Sequence, residues 1–398
     1  MSRLIGTTAR GLRAPIIRQG DDLISIVGDL VDNVVRQEGV ELRPRDILAV
    51  TESVVARCQG NYATVEQIAR DVQDKYPQGE LGLILPILSR NRFAVVLRGI
   101  AMGVKKMWIQ LSYPGDEVGN NLISLDDLDE AGIDPYRDVL SEERYHELFG
   151  NPRHEFTGVD YVAYFRQVAE EAGAEVEIFF ANDPREILKK TPYVLSADIH
   201  SRKRSKRLLK QAGAKTVYGL DDLLSAPVCG SGYNPDYGLL GSNKADEDTV
   251  KLFPRDCKAF VEALQERVLS LTGVKIEVMI YGDGAFKDPR GGIWEFADPV
   301  LSPGFTDGLI GLPNELKLKY LADNDFSGLS GEELRSAIVS AIKAKEADLK
   351  GKMVTEGTTP RQLTDLIGSL CDLVSGSGDK GTPVILIQGY FDNYSHQD

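Results

Sequence analysis

Three short stretches carry residues whose types and spacing could do chemistry. In "YGDGAFKDPRGG", residues 281–292, Asp283 stands between two glycines directly after an apolar run of Val274, Ile276, Val278, Met279 and Ile280. In "YPGD", Asp116 likewise follows an apolar stretch. Hard divalent cations such as Mg²⁺ or Mn²⁺ take carboxylate oxygens from separate chain segments, and glycine neighbours let the backbone bring those oxygens close. The third stretch, "SGSGDKGTP" from 375 to 383, sets Gly376, Gly378, Asp379 and Gly381 just before the apolar "VILIQGY", where successive N–H groups could cradle a phosphate. Each stretch has a plainer alternative. Asp283 would bond its own backbone in a tight turn, and the glycine-rich stretch would be a flexible hairpin connection.

Such acids need elements to present them. The run before Asp283 reads as a buried strand, preceded by an amphipathic helix from about Asp256 to Ser270. Near the N-terminus, Leu23, Ile24, Ile26, Val27, Leu30, Val31, Val34 and Val35 recur at helical spacing, while "DILAVTESVVA" reads as a buried strand. From Val159 a regular alternation begins: helix "YVAYFRQVAEEAG", strand "AEVEIFFA", helix "DPREILKKT", strand "YVLSADI", helix "KRSKRLLKQAG", strand "AKTVYGL". That order implies a small parallel, three-layer subdomain without a GxGxxG or GxxxxGK[ST] signature. The acidic, irregular text from 120 to 157 suits a linker or an exposed helical excursion, and a domain boundary. A basic run, Arg202, Lys203, Arg204, Lys206, Arg207 and Lys210, reads as a solvated helix face or as a contact for an anionic ligand or RNA.

Composition narrows the functional classes. A chain of 398 residues that is 42% hydrophobic is long enough for two or three domains. A net charge of −14 argues against broad nucleic-acid binding and for small ligands. Cys58, Cys229, Cys257 and Cys371 form no CxxC pair, and no signal-like apolar segment opens the chain, which fits a reduced cytoplasm. No apolar run approaches the roughly 20 residues needed to cross a bilayer. His146, His154, His200 and His396 have no ligand spacing, so a histidine metal site is not expected.

The order of these motifs resembles that of the coenzyme F420-0:γ-glutamyl ligases. "ARGLRAPIIRQGDDL" is similar to the family's "GLPLI" nucleotide segment and "GDDL" helix start, and "DILAVTESVVARCQGN" to its strand followed by "SKAEG". The resemblance implies that Ala14, Pro15, Ile16 and Ile17 line a nucleotide pocket, with Ser53 and Arg57 near the phosphates. It implies Asp116 and Asp283 as metal ligands, and Asn120 or Asn121 as a nucleotide contact. Departures accompany it: a family lysine is Arg57, "TDT" is "GDG", one positive charge is lost before "RGG", and a metal-binding glutamate is Ser377, for which Asp379 would stand in.

The implied fold is mixed α+β and α/β: a two-domain ligase-like fold in residues 1–121 and 236–398, interrupted by an inserted parallel subdomain in 122–235. The insertion would cap the active site and choose the acceptor, or make an oligomer contact. The implied chemistry is a GTP- or ATP-dependent amide ligation with Mg²⁺ or Mn²⁺. A nucleotide γ-phosphate passes to a carboxylate, and an amine such as glutamate's attacks the acyl phosphate, with Arg57 and Arg290 or Lys380 stabilising charge. A homodimer is implied by resemblance alone. The alternatives are the same chemistry on another acid, folate-like or a small metabolite, or a binding protein that has lost catalysis.

Overall fold

The computed structural model describes residues 4–85, 88, 93–116, 121–154, 158–199, 201–282, 301–349, 351–355, 362–376 and 378–395. Asp283, Asn120, Arg290, Ser377 and His200 lie outside them. The strands, in chain order, are β1 (Thr8–Leu12), β2 (Ile47–Thr51), β3 (Tyr62–Thr64), β4 (Glu80–Leu85), β5 (Lys106–Leu111), β6 (Leu140–Ser141) and β7 (Glu175–Phe180). They continue as β8 (Tyr193–Ser196), β9 (Thr216–Gly219), β10 (Asn243–Lys244), β11 (Thr249–Lys251), β12 (Glu277–Gly282), β13 (Leu301–Phe305) and β14 (Val384–Gln388).

A five-stranded mixed sheet has the order β1-β14-β2-β12-β13, with β2 and β12 parallel. Its three central strands are covered on both faces, which is why "ILAVT", "EVMIYG" and "VILIQ" read as continuous apolar runs without alternation. Helices Leu23–Glu38 and Cys257–Thr272 cover one face through Val27, Val31, Val261 and Leu264. Helix Leu363–Val374 covers the other through Ile367 and Cys371. The first of these helices begins where Asp22 accepts a hydrogen bond from the Ser25 N–H and ends at Gly39, whose φ of 65° a side chain would resist.

One expected strand is only half a strand. "DILAVTESVVA" is extended through Thr51 and then becomes a helix, Glu52–Cys58. A short apolar run does not distinguish a buried strand from a buried helix, and here the ladder between β2 and β12 stops at Thr51 and Tyr281.

The six-stranded sheet has the order β6-β7-β5-β4-β8-β9, all parallel except β6. Strand order reverses between β4 and β8, the doubly wound arrangement. This sheet starts at Glu80, upstream of the expected start at residue 122, because β4 and β5 pair with β8 and β7. The acidic segment from 120 to 157 therefore connects two adjacent strands of one sheet, and Leu128, Leu140 and Tyr145 anchor it in the core. A small antiparallel sheet, β10-β11-β3, is the third. No helix among the described residues is long and apolar enough to cross a membrane.

Candidate functional site

Strands β2 and β12 lie side by side and run the same way, with Thr51 opposite Tyr281. Whatever follows these two residues is presented at one carboxyl edge of the sheet. Glu52 and Gly282 meet there, and a Cβ added to Gly282 would overlap the Glu52 side chain. The first glycine of "GDG" is thus required for close approach rather than for an unusual turn. From Glu52 the chain enters its seven-residue helix, which buries Glu52, Val55 and Ala56 and leaves Ser53 and Arg57, four residues apart, exposed on one face.

Between this edge and the small sheet lies a cavity of about 490 Å³. One wall carries cations: Arg57 from the short helix, Lys244 from β10 and Lys251 from β11. Lys251 donates through Nζ to Glu52 Oε1 at 3.0 Å, and both side chains are buried. The pair places an ammonium and a carboxylate side by side at depth, where water screens them little and their charges balance. The cavity is also lined by the C-terminal end of helix Leu363–Val374, through Asp372 and the following Ser375, and by Tyr281. Burial raises the Tyr62 phenol above its ordinary value, with the Arg57 charge opposing the rise. Burial likewise pushes the Cys58 thiol up to about 11, Asp21 adding to the effect and Arg57 opposing it, so this sulfur is a neutral thiol near pH 7.

The residues nominated from sequence fall in different places. Ser53 and Arg57 line the cavity. Ile17 is buried in the core beneath helix Leu23–Glu38, whereas Ile16 is 83% exposed; neither lines the cavity. Pro15 is exposed, and the Ala14 N–H donates to the Gly381 carbonyl at 3.1 Å, tying this loop to the glycine-rich turn. In that turn the Gly376 N–H donates to Thr382 Oγ1 at 3.0 Å and the Gly381 N–H to the Gly378 carbonyl at 3.3 Å. Two of the N–H groups expected to cradle a phosphate are thereby committed within the hairpin, while Ser375, one residue earlier, lines the cavity.

Asp116 belongs to the other sheet. It follows the carboxyl end of β5, and its Oδ2 accepts the Leu88 N–H at 2.9 Å, joining the loops after β4 and β5. Asp379 is exposed in the hairpin. Among the described residues no group of three or more His, Cys, Asp or Glu is arranged to hold a metal ion. Asp283 is next in sequence to the cavity-lining Gly282 but lies outside the described residues.

Sequence reasoning missed Glu52, Lys244, Lys251, Tyr281 and Asp372. A signal existed for Glu52 and Lys251: a glutamate directly after "ILAVT" and a lysine inside "TVKLF" are charges in apolar text. Within the basic run, Lys206 pairs with Asp221 at 2.7 Å and Arg202 lies 3.6 Å from the same carboxylate, so part of that run serves its own subdomain.

A family model described as F420-0:Gamma-glutamyl ligase matches residues 11–389. No curated protein matches the chain.

Proposed function

The chain belongs to the F420-0:γ-glutamyl ligase family, and from that premise we propose that it joins an amino acid, expected to be glutamate, to a small carboxylate through an acyl phosphate. GTP or ATP would supply the phosphoryl group. The observation that carries this reading is the cavity wall on which Arg57, Lys244 and Lys251 converge. Arg57 and Lys244, with Lys251 held by Glu52 beside them, around one polar volume in a chain of net charge −14 suit a polyphosphate.

Transfer of a phosphoryl group needs positioning and neutralisation of charge more than covalent help from the protein. In this reading Arg57 holds phosphate oxygens with its planar fork, Lys244 meets them at the mouth, and Lys251 acts from depth. Glu52 keeps the Lys251 ammonium in place before any ligand arrives, so little reorganisation accompanies the reaction. Ser53 shares the Arg57 face and offers a hydroxyl to the same oxygens. The buried thiols take no part, since burial also raises Cys257 to about 12 and pushes Cys371 up.

Mg²⁺ or Mn²⁺ is part of the proposal as the companion of the nucleotide. Among the described residues no group of three acids is arranged to hold it, and no step here is routed through it. Asp283→Asn tests that assignment: metal-dependent nucleotide binding should disappear while folding is retained. We also propose a homodimer, which light scattering during size-exclusion chromatography would test.

The first experiment is a thermal-shift panel of GTP and ATP, with and without Mg²⁺ or Mn²⁺, on the wild type and Arg57→Gln. Ligand binding to the native state raises the melting midpoint by mass action. One triphosphate should raise it, and Arg57→Gln should weaken that ligand by about tenfold to a hundredfold, the usual cost of losing a charged hydrogen bond. No shift with either nucleotide would overturn the reading. A shift without turnover on coenzyme F420-0 or other carboxylates would favour the binding-protein alternative.

A further inference from the structure

Strand β1 is an edge of the five-stranded sheet. It pairs with β14 along Thr8–Leu12 in unbroken register, and among the described residues nothing pairs with its other side. Such an edge presents a row of backbone N–H and C=O groups, a template for a further strand, and proteins usually guard it with a proline, a bulge or an outward charge. The strand "TARGL" has neither proline nor bulge. Its single charge, Arg10, donates to Gln388 Oε1 in β14 at 2.6 Å and so leans back over its own sheet. Beside the edge runs a groove of about 960 Å³, to which Leu12 and the half-buried Leu30, Val34 and Val40 give apolar surface. It shares no lining residue with the cavity described above.

The two ends of this edge differ in charge. At one end Thr8 stands opposite Gln388, whose Nε2 donates to the Glu41 carbonyl at 2.9 Å, so Glu41 lies there. Glu38, the last residue of its helix, lines the same groove. At the other end Arg13 directly follows Leu12 and also lines the groove. Among the described residues the side-chain charges of Arg13, Glu38 and Glu41 have no ion-pair partner. Both ends also carry bare apolar surface. Leu4 is 96% and Ile5 68% exposed just before Thr8, and Ile16 is 83% exposed four residues after Leu12.

A half-turn about an axis through the middle of β1 sets two copies of the strand antiparallel, edge to edge. The Thr8 end of each then meets the Leu12 end of the other. Arg13 approaches the partner's Glu38 and Glu41, Ile16 approaches the partner's Leu4 and Ile5, and each contact occurs twice. A parallel arrangement would set like ends together and oppose Arg13 to itself. We propose that a second copy of this chain adds its β1 to this edge, joining the two five-stranded sheets into one, with the partner's Leu4 and Ile5 covering Ile16. This names the surface of the homodimer proposed above and uses no residue of the phosphoryl-binding cavity.

Light scattering during size-exclusion chromatography of the full chain, over a dilution series, measures the dimer Kd. Four variants would be compared with wild type: Arg13→Glu, the pair Glu38→Arg and Glu41→Arg, all three changes together, and Ile5→Asp. Each of the first two sets like charges against one another and should weaken the dimer about tenfold or more. The combination reverses both signs and should recover most of that loss. Ile5→Asp puts a charge into the apolar contact and should weaken the dimer as well. All of these side chains are exposed, so each variant should melt like wild type. A wild-type dimer that every variant leaves unchanged would lie elsewhere on the molecule and overturn this interface. Losses in both charge variants without recovery in the combination would overturn the antiparallel arrangement. A monomeric wild type would leave the edge to some other strand-donating partner and overturn the interface together with the homodimer, while the nucleotide-induced thermal shift would still decide the ligase reading. Should the charge variants melt low, Ile5→Asp carries the same comparison.

Discussion

The carboxyl edges of the two large sheets are both rich in polar residues, and they use them in opposite ways. At the six-stranded sheet, Asp116 accepts from the Leu88 N–H, and Asn182 accepts from the Tyr113 N–H at 3.1 Å and donates to the Tyr113 and Pro135 carbonyls. Asp198, 5% exposed, accepts from the N–H and hydroxyl of Ser201 and from the Ser205 hydroxyl. These side chains fasten loops. At the five-stranded sheet, Glu52 and Lys251 hold one another, and together with Arg57, Lys244 and Asp372 they border an open volume. An acid after a strand therefore has no fixed meaning. Its role depends on whether nearby backbone N–H groups have already claimed its oxygens.

The largest expected effect would break this comparison on its five-stranded side. Lys251→Ala leaves the Glu52 carboxylate buried without its cation, and should cost about 3–5 kcal/mol of stability in urea denaturation. The double variant Glu52→Gln, Lys251→Met should cost clearly less, because no uncompensated charge remains. Equal losses would mean that packing, rather than the ion pair, accounts for the site's rigidity.

A paired substitution sharpens the contrast between the edges. Asp116→Ala removes the acceptor of the Leu88 N–H and should cost about 1–3 kcal/mol while leaving the nucleotide-induced thermal shift intact. Arg57→Gln, on an exposed helix face, should do the reverse. A nucleotide shift that disappears in Asp116→Ala would return that acid to the binding site, where the resemblance places it.

The smallest effect concerns the basic helix. Lys206 pairs with Asp221 and Asp222, and Lys206→Ala should cost no more than about 1 kcal/mol. Weakened retention on heparin that tracks this substitution alone would show a cation committed to an external anion instead.

Much of the frame was legible in the residues. Apolar periodicity located the helix Leu23–Glu38, the helix before β12, the strand β12 and the alternation from Val159 onward, because these patterns are set by each element's own burial. Asp183 followed by Pro184 announces a helical start, and the structure places a 3₁₀ turn there, Pro184–Lys189. The extent of the parallel sheet was not legible: β4 and β5 precede the acidic segment, and nothing local reveals that they pair with strands after it. Within the site, the helix exposing Ser53 and Arg57 was hidden in a segment that reads as strand.

By itself the sequence determined most of the element types and the mixed α/β class, since these follow from periodicity. Only the tertiary structure decided which charges meet. Glu52 and Lys251 are 199 residues apart and pair because β2, β12, β3 and β11 bring their ends together. Asp116 and Glu52 both follow apolar strands, yet sheet pairing brings one to the Leu88 N–H and the other to a cavity. A side chain's electrostatic role is set by neighbours at a few ångströms, and in this chain those neighbours come from distant sequence.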